Sequence, residues 1–340
     1  MDADTPTLRP YPWQSLQWQQ LLHRQQMGRL PHALLLAGPS GMGKRHFARA
    51  LAHRLLCAQP NEAGACGTCR ACLLLQAGNH PDFLWTMPEE GKRGIGIAQI
   101  RALIDFQALT SQYRQQRVLV LEPADRLERA AANALLKTLE EPAGDTVLLL
   151  ISDHPASLLA TIRSRCQNIP FRPIPPHEQS EAATLTWLRT QLQADGAKTD
   201  DVTSLLQASG GVPLAALRMA TQNELQQRAE MLKQLLALQK QQASAVKLAQ
   251  QWEGDGSTAV LQRLYYLFAD MIRLRMVPGI SQLASPPLRG NLQALAEKVD
   301  LQLLDALLQR IQERSALLRG QLKPQVILEE ILLAWQQQRV

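Results

Sequence analysis

The chain has 340 residues, 46% of them hydrophobic and only 4% aromatic, with a net charge of +6 and an isoelectric point near 9.2. That length exceeds one compact core and implies about two or three domains. So few aromatics leave Leu and Ala to fill the interiors, which favours helices. No run approaches about 18 consecutive apolar residues, which excludes a membrane-spanning helix. The mild basic excess suits an anionic partner such as DNA as well as it suits a plain solvated surface.

The first stretch, Met1 to Pro10, is polar and carries acids. It is unlike a secretory leader, and a cytoplasmic protein is expected. His32 to Ala37 (HALLLA) reads as a buried strand, and Arg45 to Leu56 as a helix with Phe47, Leu51 and Leu55 on one face. Ile95 to Leu109 is helical, Arg117 to Leu121 (RVLVL) a second strand, and Leu127 to Glu141 a helix stopped by Pro142. Thr146 to Ile151 (TVLLLI) is a third strand, followed by a short helix over Ser157 to Arg165. Strands alternating with helices predict an α/β fold with a parallel sheet covered on both faces.

Beyond Pro170 the pattern changes. Phe171 to Pro176 (FRPIPP) reads as a linker. Helices are expected over Gln179–Leu192, Asp200–Ala208 and Val212–Ala220, forming an all-α lid across 171–221. From Gln222 to Val340 the chain is Leu- and Gln-rich, and its regular apolar spacing predicts an all-α bundle rather than a low-complexity tract. The expected domains are thus 1–170, 171–221 and 222–340.

Gly38-Pro-Ser-Gly-Met-Gly-Lys44 follows the first strand and opens a helix, the setting of a phosphate-binding P-loop. Gly38, Gly41 and Gly43 would let main-chain N–H groups converge on phosphates, with Lys44 as the phosphate lysine. The next position should be Ser or Thr, whose hydroxyl holds Mg²⁺. Here it is Arg45, which has no acceptor atom. An AAA+ ATPase usually places Asp-Glu directly after the second apolar strand. This chain has Glu122-Pro123, and proline can neither orient water nor take a proton. Asp125, three residues further, is expected as a helix N-cap. The loop is built for phosphate, but productive use of ATP and Mg²⁺ by this chain is not expected. Retention of a nucleotide is left open.

Four of the five cysteines fall in C-x8-C-x2-C-x2-C: Cys57, Cys66, Cys69 and Cys72. In a reducing compartment this spacing points to a closed four-thiolate Zn²⁺ shell of structural purpose, over 57–72. The alternative is a set of free or redox-active thiols. No aromatic platform is interleaved, so a stand-alone nucleic-acid module is disfavoured. The remaining Cys166 is expected as a packed core thiol.

Ser164-Arg165-Cys166, Ala130 to Pro142 (AAANALLKTLEEP), Tyr11-Pro-Trp13 and Asn79 to Asp82 (NHPD) give the sequence a specific resemblance. It is similar to the AAA+ clamp-loader family, and within it to the delta-prime subunits of bacterial DNA polymerase III. The likeness is close over about the first 170 residues and weaker beyond. It implies a RecA-like AAA+ domain, a lid and a C-terminal collar that oligomerises. It implies a zinc module at the cysteines, and a hetero-oligomer with delta and gamma/tau subunits. That assembly, part of the polymerase holoenzyme at the nucleoid-associated replisome, loads the sliding clamp on primed DNA. Arg165 takes the place of an arginine finger that serves a neighbour's ATP site. A surface ion pair is the plainer reading of that residue. Arg101, in the first turns of the 95–109 helix, falls where such proteins direct an arginine to DNA phosphate; a solvated helix arginine is the plainer reading. Leu214 stands where related motor subunits carry a γ-phosphate-sensing arginine, a third departure beside Arg45 and Pro123. The alternative to a non-hydrolysing scaffold is an active ATPase of the gamma/tau kind.

Overall fold

The computed structural model describes residues 9–109, 116–175, 179–195, 201–254, 256–317 and 324–337. Met1 to Leu8, Pro176 of the expected linker, Asp200 of the expected lid and the last residues to Val340 lie outside them. The chain divides into two compact units, Met1–Thr184 and Leu185–Val340.

The first unit runs α1 (Ser15–Gln26), β1 (Ala33–Ala37), α2 (Lys44–Leu56), α3 (Arg70–Gln76), β2 (Phe83–Thr86), α4 (Ile97–Ala108), β3 (Gln116–Leu121), α5 (Arg129–Glu140), β4 (Asp145–Ser152), α6 (Ala160–Arg163) and β5 (Gln167–Pro170). The strands form one parallel sheet in the order β2-β3-β4-β1-β5. The central strands are apolar throughout because both faces are covered, so Leu34, Leu36 and Val118 to Leu121 are all fully buried. On one face Leu35, Leu119 and Leu148 meet Ile100 and Leu103 of α4 and Leu135 and Leu139 of α5. Elsewhere in this unit, Phe47 of α2 packs edge-on against Trp18 of α1 and Phe171, with ring centroids 5.6 and 5.1 Å apart.

Two strands carry too little pattern to be foreseen. β5 is an edge strand in which only Ile169 is buried, and β2 is half-exposed along most of its length. Edge strands bury one side at most, so no apolar run marks them. The helix expected over Ser157 to Arg165 is shorter than that. Pro155–Ser157 forms a separate 3-10 turn, Leu158 is extended, and α6 covers only Ala160–Arg163. Asp125 is not a helix N-cap. It lies inside a 3-10 turn, Ala124–Arg126, and its Oδ1 accepts a hydrogen bond from the main-chain N–H of Asp153 at 3.0 Å.

The second unit contains helices and, among its described residues, no strand. α7 (Gln179–Ala194) enters it, and α8 (Val202–Ala208) and α9 (Pro213–Thr221) follow. Leu188, Leu205, Leu206 and Ala216 from these helices share a small core. Then come α10 (Glu224–Gln239), α11 (Ala245–Gly254), α12 (Ser257–Met276), α13 (Arg289–Ala296), α14 (Leu301–Leu317) and α15 (Pro324–Gln336). Their core centres on Trp252, Phe268 and Trp335, the last two stacked 5.2 Å apart. The indole N–H groups of Trp335 and Trp252 donate to Leu235 O and Gln234 Oε1, so both rings are buried without an orphaned donor. Asp270, fully buried, accepts from the main-chain N–H groups of Ala284 and Ser285 and pairs with Arg273.

Candidate functional site

A parallel sheet offers its ligand edge at the carboxyl ends of its strands. Here β1 ends at the Gly38–Lys44 loop, β3 at Glu122, and β4 at Ser152-Asp153. The loop is locked in place. Gly38 has φ +154°, and a Cβ there would lie 1.9 Å from the Phe171 carbonyl oxygen. Gly43, the N-cap of α2, has φ +80°, and a Cβ would strike the Tyr11 ring at 2.6 Å. From outside, Trp13 Nε1 and Gln14 Nε2 donate to Met42 O at 3.1 and 2.9 Å, while Tyr11 stacks between Trp13 and His46. The Tyr11-Pro-Trp13 segment therefore clamps the loop.

Within that frame the charges meet partners from the same chain. The side chain of Lys44 is 3% exposed, and its ammonium lies 2.6 Å from Asp153 Oδ1 and donates to Gly38 O and Pro39 O. Arg45 Nε donates to Glu122 Oε2 at 2.7 Å, and its Nη2 contacts Met87 Sδ. Trp85 donates its indole N–H to the same carboxylate oxygen, with the Arg45 and Arg49 guanidinium groups over its ring at 5.8 and 5.6 Å. Arg45, Glu122, Pro123, Asp125 and Asp153 line one cleft. A guanidinium thus stands beside the acid that follows β3, on the side where a P-loop ATPase keeps its cation. Sequence reasoning missed Asp153. The available signal was a carboxylate directly after an apolar strand, at the edge where the P-loop also ends.

The four cysteines come together. Cys57 ends α2, Cys69 caps α3 and Cys72 lies in its first turn, while Cys66 sits on the loop between. All four sulfurs lie within 4.8 Å of one another, with separations of 3.5, 4.0 and 3.9 Å for Cys57–Cys66, Cys57–Cys69 and Cys66–Cys72. A tetrahedral ion with metal–sulfur bonds of about 2.3 Å has edges of about 3.8 Å, so the set fits a metal such as zinc. Main-chain N–H groups of Gln59 and Cys66 point at Cys57 Sγ, and those of Thr68 and Cys69 hold the Cys66 thiol down to about 6. Burial pushes the thiols of Cys57 and Cys72 up, so a compensating cation is what would favour their thiolates. Cys166 is separate, packed in the core under the sheet, and burial raises its thiol to about 12.

Arg165 lies on the loop joining α6 to β5. Its Nε and Nη2 reach Glu140 Oε1 at 2.7 and 2.5 Å, and Nη1 donates to Thr161 O at 3.0 Å. The side chain is 35% exposed. Arg101 is exposed on α4, and Leu214 is half-buried in the first turn of α9. No helix among the described residues is long and apolar enough to cross a membrane.

Residues 13–175 match the family described as DNA polymerase III, delta subunit, and residues 222–337 match DNA polymerase III, delta subunit, C terminal. The chain is 40% identical to DNA polymerase III subunit delta' of Pseudomonas aeruginosa over 96% of its own length and 97% of that protein. Identity to the delta' subunit of Escherichia coli is 34%, over 88% of this chain and 87% of that one. With DNA polymerase III subunit gamma/tau of Mycobacterium bovis it shares 33% identity over 57% of this chain and 33% of that one.

Proposed function

This chain belongs to the family of DNA polymerase III delta' subunits, and from that premise we propose that it is a non-hydrolysing clamp-loader component which serves a neighbouring ATPase. The observation that carries this reading is the 2.7 Å ion pair between Arg45 and Glu122. Phosphoryl transfer needs a metal beside the phosphates and a group that orients the attacking water. Arg45 sets a fixed cation against the acid that would help hold the metal, and Pro123 occupies the position of the base. Lys44, held by Asp153, would have to exchange that carboxylate for phosphate before any nucleotide could settle.

Arg165 acts outward in this scheme. Its guanidinium would reach the γ-phosphate in a gamma/tau neighbour, where charge spreads over the equatorial oxygens during transfer. The delta subunit and the helical C-terminal region would complete a hetero-oligomeric collar, and the assembly would place the sliding clamp on primed DNA in the cytoplasmic replisome. Zn²⁺ at Cys57, Cys66, Cys69 and Cys72 would close its shell with four sulfurs and leave no open position, so its contribution is structural.

The test compares the purified chain with the complex reconstituted with delta and gamma/tau. Alone, it is expected to turn over no more ATP than its Lys44→Ala variant. In the complex, Arg165→Ala should assemble normally and remove the turnover of the one site it serves, where a finger is worth about 10³-fold or more. Turnover by the chain alone would instead favour a gamma/tau-like ATPase. Unchanged turnover of the Arg165→Ala complex would remove that residue from the mechanism.

A further inference from the structure

We infer that Glu140 is the positioning residue for Arg165, holding one edge of the guanidinium so that its other edge is presented outward; this rests on the reading of Arg165 as a finger. An arginine has five N–H donors. The one on Nε and one on Nη2 go to Glu140 Oε1, and one on Nη1 goes to Thr161 O. Two N–H groups are left, one on each terminal nitrogen. Those terminal nitrogens form the fork with which a guanidinium grips phosphate oxygens.

The placement of Glu140 supports a role in holding rather than in folding. It is the last residue of α5, where the helix macrodipole disfavours an acid, and its side chain is 49% exposed. Nothing in α5 itself calls for a carboxylate there. Arg165 in turn sits beyond α6, on a loop, with a long side chain that no helix face restrains. Glu140 and Thr161 supply that restraint from two different elements. Both charged side chains are partly exposed, so the pair is weak, and it can shift as the fork engages a phosphate without a large barrier.

The reconstituted complex carries the test, with the Arg165→Ala loss defining the Arg165-dependent turnover. Glu140→Ala is expected to lower that part about two- to fivefold, the range of an exposed ion pair, with KM for ATP unchanged. Glu140→Gln, which keeps the acceptor oxygen, should retain most of it. The double variant should match Arg165→Ala alone, because Glu140 acts only through Arg165. A silent or accelerating Glu140→Ala, in a complex that Arg165→Ala does slow, would overturn the positioning role while leaving the finger intact. A double variant worse than Arg165→Ala would also overturn it. A silent Arg165→Ala would sink the finger itself, and the positioning role with it.

Discussion

The two ends of α2 meet opposite fates. At the amino end Lys44 and Arg45 each find a carboxylate of the same chain, Asp153 and Glu122, and the cleft neutralises itself. At the carboxyl end Cys57 joins Cys66, Cys69 and Cys72, and four sulfurs crowd within 4.8 Å. One helix thus joins a site that has built in its own cation to a site whose donors could hold an external one. The difference teaches that a binding motif is judged by its counter-charges. On the proposed reading, a P-loop that satisfies its own charges has little use for magnesium, whereas four clustered thiols, two of them pushed up by burial, become thiolates together only beside a compensating cation.

The largest effect should come from the sulfur end. Structural zinc in small folds carries about 10–16 kcal/mol of apparent binding free energy, so Cys72→Ser should lose its metal and melt at a markedly lower temperature. The checks are elemental analysis of the purified protein and thermal melts with and without chelator. A metal-free wild-type chain whose melting ignores chelator would erase the contrast between the two ends.

Next comes His53, on α2 between them. Burial, then Arg49 and His80, push its imidazole down to about 4 from an ordinary 6.5. The unfolded chain takes a proton as pH falls through 6.5, while the folded one refuses it until about 4. Stability is therefore intact above pH 6.5 and is lost progressively below it, by about 3 kcal/mol at most. His53→Gln, neutral at every pH, should flatten the melting temperature between pH 6.5 and 4. An equally steep profile would assign the acid sensitivity to other groups.

The smallest effect should be at the amino end. Arg45→Ser restores a hydroxyl and frees Glu122 from its guanidinium. Nucleotide affinity should then rise about tenfold in the presence of Mg²⁺, worth about 1.4 kcal/mol, as read by calorimetry with and without the ion. Hydrolysis should stay absent, because Pro123 remains. Stability should change by less than about 1 kcal/mol, since the pair is partly exposed. If magnesium makes no difference to the variant, the ion pair is not what closes the cleft.

The parallel sheet was legible in β1, β3 and β4 because a strand covered on both faces must be apolar at every position. β2 and β5 were not, since an edge strand can do with one inward residue such as Ile169. The motifs were legible too. Gly38 to Lys44 and the four cysteines each lie within a short stretch, and local spacing largely dictates their geometry.

What the amino-acid sequence determined alone was the inventory: a glycine-rich loop with no hydroxyl residue directly after its lysine, a Glu-Pro pair after the second apolar strand, four closely spaced thiols, and an arginine after the third apolar strand. What only the tertiary structure decided was the pairing. Asp153 reaches Lys44, Glu122 reaches Arg45 and Glu140 reaches Arg165 because strands and helices distant in the chain end side by side. Ion pairs depend on separations of a few ångströms. Such distances are set by how the sheet orders its strands, and no local pattern of residues encodes them.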